Sequence, residues 1–279
     1  MNTGYDIDWN NRDKDKANLF QTIQINIAGN KINFIRQLLA RILLGQIFEK
    51  FIILRGSGGN GKSSLLELLY DTLGGYGHSI DINNLLNSGK LSCPNPEIDQ
   101  IHNKLFIVSS EPPEEAKFKT LTVKRLTGGT KWSSRELFSN QTQINFIETT
   151  IVDSNLRLPF QGEIYNALIR RLIDYEFPNL FTDDEKKIGT EISTAGEYKR
   201  LNEYYKSQEF KDAYKVSLMQ ILLDLFKETK GRVVIPEIIN ITSLKYLTET
   251  RDVLKWFYDN YERIDEDDYD EEDEQDGLT

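Results

Sequence analysis

Residues 51–64 read FIILRGSGGNGKSS, an apolar run followed by a glycine-rich segment. The run 51–54 predicts a short buried strand, because consecutive apolar residues before a glycine cluster are typical of a strand covered on both faces. Residues 64–73 follow with helical periodicity, and Gly74 and Gly75 end the pattern. The order strand, glycine loop, helix predicts a βα unit with the glycine segment at the carboxyl end of its strand.

The glycine segment fits the phosphate-binding pattern Gly-x4-Gly-Lys-Ser over residues 56–63, called the phosphate loop below. Glycines let successive backbone N–H groups point into a concavity for phosphate oxygens, and the following helix adds partial positive charge. We expect Lys62 to reach the β- and γ-phosphates and the Ser63 hydroxyl to bind Mg²⁺. The pattern predicts a site for ATP and Mg²⁺. Its predicted members are Gly56, Ser57, Gly58, Gly59, Asn60, Gly61, Lys62, Ser63 and Ser64.

A second apolar strand, 104–108, is predicted to end at Ser109, Ser110 and Glu111. A phosphate loop needs a carboxylate at a neighbouring strand end, to orient Mg²⁺ or to activate water. Glu111 is the first acid after the apolar run, so we predict it as general base and as a further metal ligand; a surface acid is the alternative. Many phosphate-loop ATPases have two adjacent acids here. Ser110 precedes Glu111 in this chain, so Mg²⁺ coordination is expected to depend on Ser63, the phosphates and water, with Glu111 beside them.

A third strand, 144–152, is predicted to lead to Asn155. An amide at this strand tip can hydrogen-bond the γ-phosphate or the attacking water, and the alternative is an Asn that starts the turn toward Pro159. Arg170 and Arg171 follow, and an arginine donated across a subunit boundary can stabilise the developing charge on the γ-phosphate. A solvated helix face is the alternative for this pair. Either residue could be the arginine finger, with a slight preference for Arg170.

Taken in order, these elements resemble the superfamily 3 helicases, in particular the helicase half of primase-helicases from poxvirus-like large DNA viruses and related phages. The resemblance covers about residues 52–178. Each segment alone is a weak to moderate signal apart from the phosphate loop, whereas the ordered set is specific. The segments are GSGGNGKSS (56–64), LFIVSSEPPE (105–114), VKRLTGGTKWSSRELF (123–138), SNLRLP (154–159) and RRLIDYEFP (170–178).

The resemblance implies an α/β fold, an AAA+-like P-loop NTPase with a central parallel sheet flanked by helices. An N-terminal helical segment and a C-terminal helical region are expected to flank this core. The predicted domains are 1–50 (lead-in or collar), 51–180 (ATPase core), 181–263 (helical region) and 264–279 (disordered acidic tail). For 30–48, a helix packed on its own sheet is the alternative to a collar that supports ring assembly. No catalytic chemistry is predicted for the helical region.

In this family the third segment faces a central channel, usually as Lys-x-Leu-Thr-Gly-Gly-Asp. Thr130 stands where the family usually has Asp. We predict that Lys124 and Lys131 contact single-stranded DNA, because basic side chains bind phosphate. Trp132 is a candidate for stacking on a base, with core packing as the alternative. Lys131 and Trp132 stand where a loop or hairpin could project.

The resemblance implies a ring-forming, ATP-driven DNA helicase or translocase for viral or phage genome replication, with hydrolysis at subunit interfaces and single-stranded DNA in the pore. The implied partners are single-stranded or forked DNA, further copies of the chain in a hexamer, and a primase domain or primase partner. The expected location is the replication site in the cytoplasm of an infected host cell. Two alternatives stay open: an AAA+-type ATPase that remodels or loads proteins without unwinding, and a nucleotide-switched binding module without a ring.

The amino-acid composition limits which classes of protein and which kinds of site are compatible with the sequence. The 279 residues carry a net charge of -10, but ten acids and no base lie in 264–279, which leaves 34 acids to balance 34 bases in the rest. A DNA partner is therefore compatible with the acidic total, because electrostatic steering depends on local charge. Cys93 is the one cysteine, so an intrachain disulfide is impossible and a Cys/His zinc site is not expected. No apolar run of about 18 residues occurs, which excludes a membrane-spanning class.

Overall fold

The computed structural model describes most of the chain between residues 2 and 249. The described stretches are 2–7, 13–26, 31–83, 100–110, 112–113, 116–128, 132–135, 141–144, 147–163, 166–193 and 196–249. The predicted acidic tail, 264–279, lies outside them.

Twelve strands and seven α-helices are labelled in chain order within the described residues. The strands are β1 Phe51–Arg55, β2 Gly77–Ser79, β3 Phe106–Ser110, β4 Phe118–Lys119, β5 Trp132–Arg135, β6 Gln141–Ile144, β7 Thr149–Ser154, β8 Phe160–Gln161, β9 Leu172–Glu176, β10 Leu180–Thr182, β11 Glu191–Ser193 and β12 Gly196–Arg200. The α-helices are α1 Asp13–Asn26, α2 Lys31–Arg41, α3 Lys62–Leu73, α4 Thr120–Thr127, α5 Asn166–Ile169, α6 Gln208–Thr229 and α7 Glu237–Glu249. Short 3-10 turns cover Ile42–Leu44, Gly74–Tyr76 and Glu203–Lys206.

A five-stranded sheet in the order β2-β3-β7-β1-β9 forms the centre of the fold. All four pairings in this sheet are parallel. Helices cover both faces, so the predicted α/β class with a central parallel sheet flanked by helices is confirmed. The strands β1, β3 and β7 therefore end at one edge, which is the edge where open α/β sheets bind ligands.

Successive side chains of β1 point to opposite faces of the sheet, and the core accordingly has two layers. Ile52 and Leu54 belong to the layer that includes α1, α2, α3 and α6, whereas Phe51 and Ile53 belong to the layer that includes α4, α5 and α7. All four side chains are at most 1% exposed. Full burial of each such side chain stabilises the fold by about 1.5–3 kcal/mol, so the strand before the phosphate loop is held rigidly from both sides.

The N-terminal helices pack on the first layer of this core. Leu19 of α1 and Phe34 of α2 are each 1% exposed and share a cluster with β1 and α6. This packing agrees with the interpretation of 30–48 as a helix on its own sheet. The helix is shorter than its sequence pattern: α2 ends at Arg41, and a 3-10 turn ends at Gly45, whose φ of 58° is left-handed.

Two predicted boundaries in the middle of the chain are wrong. The third central strand begins at Thr149 instead of residue 144, because Gln141–Ile144 pairs with Trp132–Arg135 in a separate antiparallel hairpin. The sequence from 163 to 171 also has a helical pattern, but the helix there is the single turn Asn166–Ile169. It ends there because the Arg171 carbonyl already accepts a hydrogen bond from the Phe51 N–H, which draws the chain into the sheet.

The region after β9 contains the two helices α6 (Gln208–Thr229) and α7 (Glu237–Glu249), but it begins with strands where the sequence predicted helical structure. The short strands β10, β12 and β11 form a three-stranded sheet that the sequence did not predict. Strands of three to five residues give too few repeats for a hydrophobic period. Within the described part of the chain, no helix is both long and apolar enough to cross a membrane.

Candidate nucleotide-binding site

The sheet brings the phosphate loop and Asn155 to one edge. β1 and β7 are adjacent and parallel, and Arg55, the last residue of β1, is in register with Ser154, the last residue of β7. Gly56 and Asn155 therefore follow neighbouring strand ends at the same level, although the two positions are far apart in the sequence.

The backbone of the phosphate loop needs glycine at two positions for different reasons. Gly61 precedes α3 with a φ of 79°, which is in the left-handed region that glycine adopts without a steric penalty. A Cβ on Gly56 would lie 1.9 Å from Asn60 Nδ2. The Asn60 side chain is 1% exposed and fills this space, and its Oδ1 accepts a hydrogen bond of 3.3 Å from the Lys62 N–H. The loop is thus closed around an internal amide.

Lys62 is buried at the sheet edge and its ammonium group is surrounded by oxygens. Its exposed fraction is 3%. Nζ donates hydrogen bonds to Gly56 O at 3.1 Å and to Asn155 Oδ1 at 2.7 Å, and lies 3.2 Å from Asp153 Oδ1. A buried ammonium is stable only when it is paired. Lys62 and Asn155, which the sequence assigned to one site, are thus in direct contact, and their chemical roles stay predictions.

Asp153 is a residue that the sequence analysis missed. Its Oδ2 accepts a hydrogen bond of 2.9 Å from the Ser63 hydroxyl, and the residue is 6% exposed. The available signal was the one used for Glu111, because Asp153 is the first acid after the apolar pair Ile151 and Val152. Asn155, two residues further on, was predicted instead as the functional polar residue at the end of this strand.

Three predicted residues cannot be compared with the structure. Glu111 and Lys131 lie outside the described residues, and the Trp132 side chain does so as well. The backbone of Trp132 opens the β5–β6 hairpin, where it is in register with Ile144. A hairpin in this segment agrees with the predicted projection, while the proposed DNA contacts stay predictions.

A cavity of about 430 Å³ opens in front of the phosphate loop. This volume lies within the usual range for small-molecule sites. Seven of the nine predicted loop residues, 58–64, line it together with Asn155. Ser57 is exposed and is not part of the lining, and Gly56 contributes its carbonyl to Lys62.

One wall of the cavity comes from the region to which no chemistry was assigned. Phe181 in β10 is tied to the loop because its N–H donates a 2.7 Å hydrogen bond to Gly59 O. Leu201, Asn202, Tyr205 and Lys206 complete this wall. A polar phosphate loop beside a wall that includes aromatic and aliphatic side chains suits a nucleotide, with the phosphates on the loop and the base on the wall.

A buried carboxylate connects the two loops that border the site. Asp174 in β9 is fully buried and accepts hydrogen bonds from Arg55 Nε at 3.1 Å and from Arg157 at 3.2 Å. Arg55 precedes the phosphate loop, and Arg157 follows Asn155 by two residues. Burial raises the pKa of Asp174, and the two guanidinium groups oppose that shift. Arg157 also pairs with Glu249 of α7, which anchors the last described helix to this junction.

The two candidate finger arginines lie at the opposite edge of the sheet. Arg170 and Arg171 directly precede β9, whose first residue, Leu172, is in register with Phe51 at the start of β1. At about 3.3 Å per residue, a five-residue strand separates them from the phosphate loop of their own chain by about 16 Å. Arg171 and Lys124 line a second cavity of about 560 Å³, between α4 and α5.

A metal ion bound beside the phosphate loop would have few protein ligands among the described residues. The described residues contain no cluster of three or more His, Cys, Asp or Glu side chains able to hold a metal ion. Mg²⁺ at phosphate sites commonly takes one or two protein oxygens and completes its coordination with phosphates and water. The Ser63 hydroxyl and the Asp153 carboxylate are hard oxygen donors beside the phosphate loop, so this chain's residues fit the ion.

Comparison with known proteins gives similarity of fold. No protein-family model and no curated protein matches the chain. A solved structure of the NrS-1 C-terminal region (305–718) matches 87% of this chain and 53% of its own, at 18% identity and a TM-score of 0.58. Another structure of that region matches 93% and 58%, at 19% identity and a TM-score of 0.53. The JCV helicase matches 85% and 60%, at 13% identity and a TM-score of 0.41, which is too low to support an argument.

The chain spans little more than half the length of the NrS-1 structures that it matches. Their agreement over most of the present chain supports the described α/β architecture as a fold shared with a larger protein.

Proposed function

We propose that the chain is an ATP hydrolase that drives a DNA helicase or translocase. The observation that carries this proposal is the contact between Lys62 and Asn155 at the mouth of the 430 Å³ cavity. A lysine that is buried among polar groups at the start of a helix is available to bind phosphate oxygens.

ATP binds with its phosphates along the backbone of residues 58–63 and its base against the wall formed by Phe181, Leu201 and Tyr205. Lys62 binds the β- and γ-phosphates, and Ser63 holds Mg²⁺. The ion, when bound, neutralises charge on the phosphate oxygens. Asn155 hydrogen-bonds the γ-phosphate or the attacking water, and Glu111 takes the proton from that water.

Hydrolysis takes place at a subunit boundary. Arg170 and Arg171 lie about one strand length from the phosphate loop of their own chain, so they can reach only the site of a neighbouring copy. This separation supports a ring, which we propose to be a hexamer. An arginine supplied by a neighbour stabilises the charge that develops on the γ-phosphate.

Single-stranded or forked DNA is the proposed macromolecular substrate. Lys124 on α4, Lys131 and Trp132 form the proposed contact surface, together with the β5–β6 hairpin. Lys124 is exposed, as a residue that binds a DNA phosphate must be. Work on viral or phage genomes in an infected cell, alongside a primase, is the proposed setting.

Unwinding of a forked DNA duplex tests this function. The wild-type chain is expected to separate the strands with ATP and to fail with a non-hydrolysable analogue. Lys62→Ala serves as the matched control, because it removes the phosphate-binding ammonium group and leaves the DNA surface intact. ATP hydrolysis without strand separation or movement on DNA would contradict the helicase proposal and favour a protein-remodelling ATPase.

A further inference from the structure

The proposed ATP site lacks the second acid that many phosphate-loop ATPases have at the end of the neighbouring strand, where this chain has Ser110. We propose that Asp153 supplies the missing magnesium-binding carboxylate from the adjacent strand. This inference rests on the proposed nucleotide site. It identifies the Asp153 carboxylate as the group that binds the metal ion of that site together with Ser63.

Strand register is the first observation behind this assignment. Ser110 at the end of β3 and Asp153 in β7 are direct register partners. Positions 110 and 153 therefore lie at the same level of the sheet, on strands about 4.8 Å apart. An acid at 153 reaches the same edge as an acid at 110, and it lies one strand closer to β1 and its phosphate loop.

The two proposed protein ligands are already adjacent. Ser63 Oγ and Asp153 Oδ2 are 2.9 Å apart. Octahedral Mg²⁺ with oxygens at about 2.0–2.1 Å places neighbouring ligands about 2.9 Å from each other. The two oxygens can hold this spacing when their hydrogen bond is exchanged for two metal–oxygen bonds.

A further cavity borders this pair of side chains. A cavity of about 340 Å³ is lined by Ser63, Asp153, Glu67 and Asp71, among others. Mg²⁺ keeps several of its waters in phosphate sites, so the metal side of the nucleotide needs room of this kind. Glu67 on this cavity is already paired at 3.1 Å with Lys211, which also lines the cavity, so Glu67 serves as a control residue rather than a ligand.

Charge balance also requires a cation when nucleotide binds. Asp153 is 6% exposed, and its carboxylate now faces the Lys62 ammonium group at 3.2 Å. Phosphates compete for that ammonium group, and a buried carboxylate that loses its partner costs several kcal/mol. A divalent ion beside Ser63 restores the balance at Asp153 while Lys62 binds the phosphates.

Mn²⁺ binding, followed by electron paramagnetic resonance on the full chain with ADP, tests the assignment without reference to turnover. Mn²⁺ is a suitable probe because it shares the preference of Mg²⁺ for oxygen ligands. Asp153→Asn should weaken Mn²⁺ binding to the ADP complex at least tenfold, while ADP affinity in EDTA stays within threefold of the wild type. Glu67→Gln, which removes a carboxylate from the same cavity, should leave Mn²⁺ affinity within threefold.

The outcomes separate the two proposals. Unchanged Mn²⁺ affinity in a folded, ADP-binding Asp153→Asn variant overturns the assignment and makes Asp153 a static partner of Lys62. A wild-type chain that binds no ADP overturns the proposed function itself. A second variant, Ser110→Asp combined with Asp153→Asn, returns the acid to the register partner, and recovery of Mn²⁺ affinity there supports a ligand role over a structural one.

Discussion

Lys62 and Asn155 are 93 positions apart in the sequence, and the Lys62 ammonium group donates a 2.7 Å hydrogen bond to the Asn155 side-chain oxygen. The contact connects the loop after β1 with the loop after β7. Any ligand that draws Lys62 toward its phosphates must also alter the environment of Asn155. The amide is therefore in a position to respond to the state of the nucleotide.

Asn155→Ala should separate binding from hydrolysis. Loss of one positioned hydrogen-bonding group typically lowers turnover by about 10²–10³, while the backbone contacts of the phosphate loop keep ADP affinity within about threefold. Steady-state ATP turnover and ADP titration check the two halves of this prediction. Asn240→Ala, on the exposed surface of α7, is the matched control. Wild-type turnover in Asn155→Ala would reduce Asn155 to a turn residue.

Tyr205→Ala should weaken nucleotide binding through the base. Contact between an aromatic side chain and a base contributes about 1–3 kcal/mol, so ADP affinity should fall by about 5- to 150-fold. Tripolyphosphate affinity should not change, because Tyr205 lies outside the phosphate loop. Tyr204→Ala is the control, since Tyr204 is 38% exposed and is absent from the cavity lining. Equal losses for ADP and tripolyphosphate would refute the base wall.

The variant with both Arg170→Ala and Arg171→Ala should bind ADP normally and lose about 10³ in turnover, as expected for removal of an arginine finger. Lys62→Ala subunits carry intact arginines and a defective phosphate loop. Mixing the two inactive variants should restore part of the activity, because one donates the arginine and the other the loop. ATP turnover of the mixture is the measurement. No recovery, in mixtures shown by sizing to form joint assemblies, would exclude action across the boundary.

Glu148 should make the fold less stable as the pH rises. It is 4% exposed, and hydrogen bonds from the backbone N–H groups of Ile147 and Glu148 only partly offset the effect of burial on its pKa. Burial raises its pKa from 4.5 to about 8 in the folded chain. At a pH between these two values, Glu148 is deprotonated in the unfolded chain but still protonated in the folded chain. The free energy of unfolding therefore falls by up to about 1.4 kcal/mol per pH unit across this window.

Urea unfolding of wild type and Glu148→Gln at pH 5 and pH 8 checks this effect. The variant lacks the ionisable group, so its free energy of unfolding should decrease less than that of the wild type between the two values. Glu163→Gln, at an exposed site, controls for the general loss of a carboxylate. The same pH dependence in Glu148→Gln and the wild type would show that Glu148 does not titrate in this range.

Local motifs made the phosphate loop predictable. The functional residues of 56–63 are consecutive in the sequence, and the flanking strand and helix are strongly apolar. The loop and its flanking elements can therefore be predicted from the local sequence alone. The central parallel sheet was expected from the family resemblance that the ordered segments carry. Asn155 could be placed because it follows an apolar strand whose end must meet the edge that carries the loop.

Features that depend on pairing between distant segments were not predictable in the same way. Asp153 became visible as a partner of Ser63 and Lys62 only once the register of β7 against β1 was known. The base wall depends on Phe181 in a three-residue strand, which is too short to produce a period. β7 begins later than predicted because β6 pairs with β5, and this pairing cannot be predicted from the local sequence pattern.

ATP turnover with and without single-stranded DNA, at a protein concentration that permits rings, tests the central claim most directly. Lys62→Ala sets the background rate. The account predicts turnover that depends on Lys62 and rises several-fold with DNA, because a strand in the pore must couple to hydrolysis at the boundaries. Turnover that depends on Lys62 but is identical with and without DNA would contradict the helicase and leave an ATPase that acts on proteins.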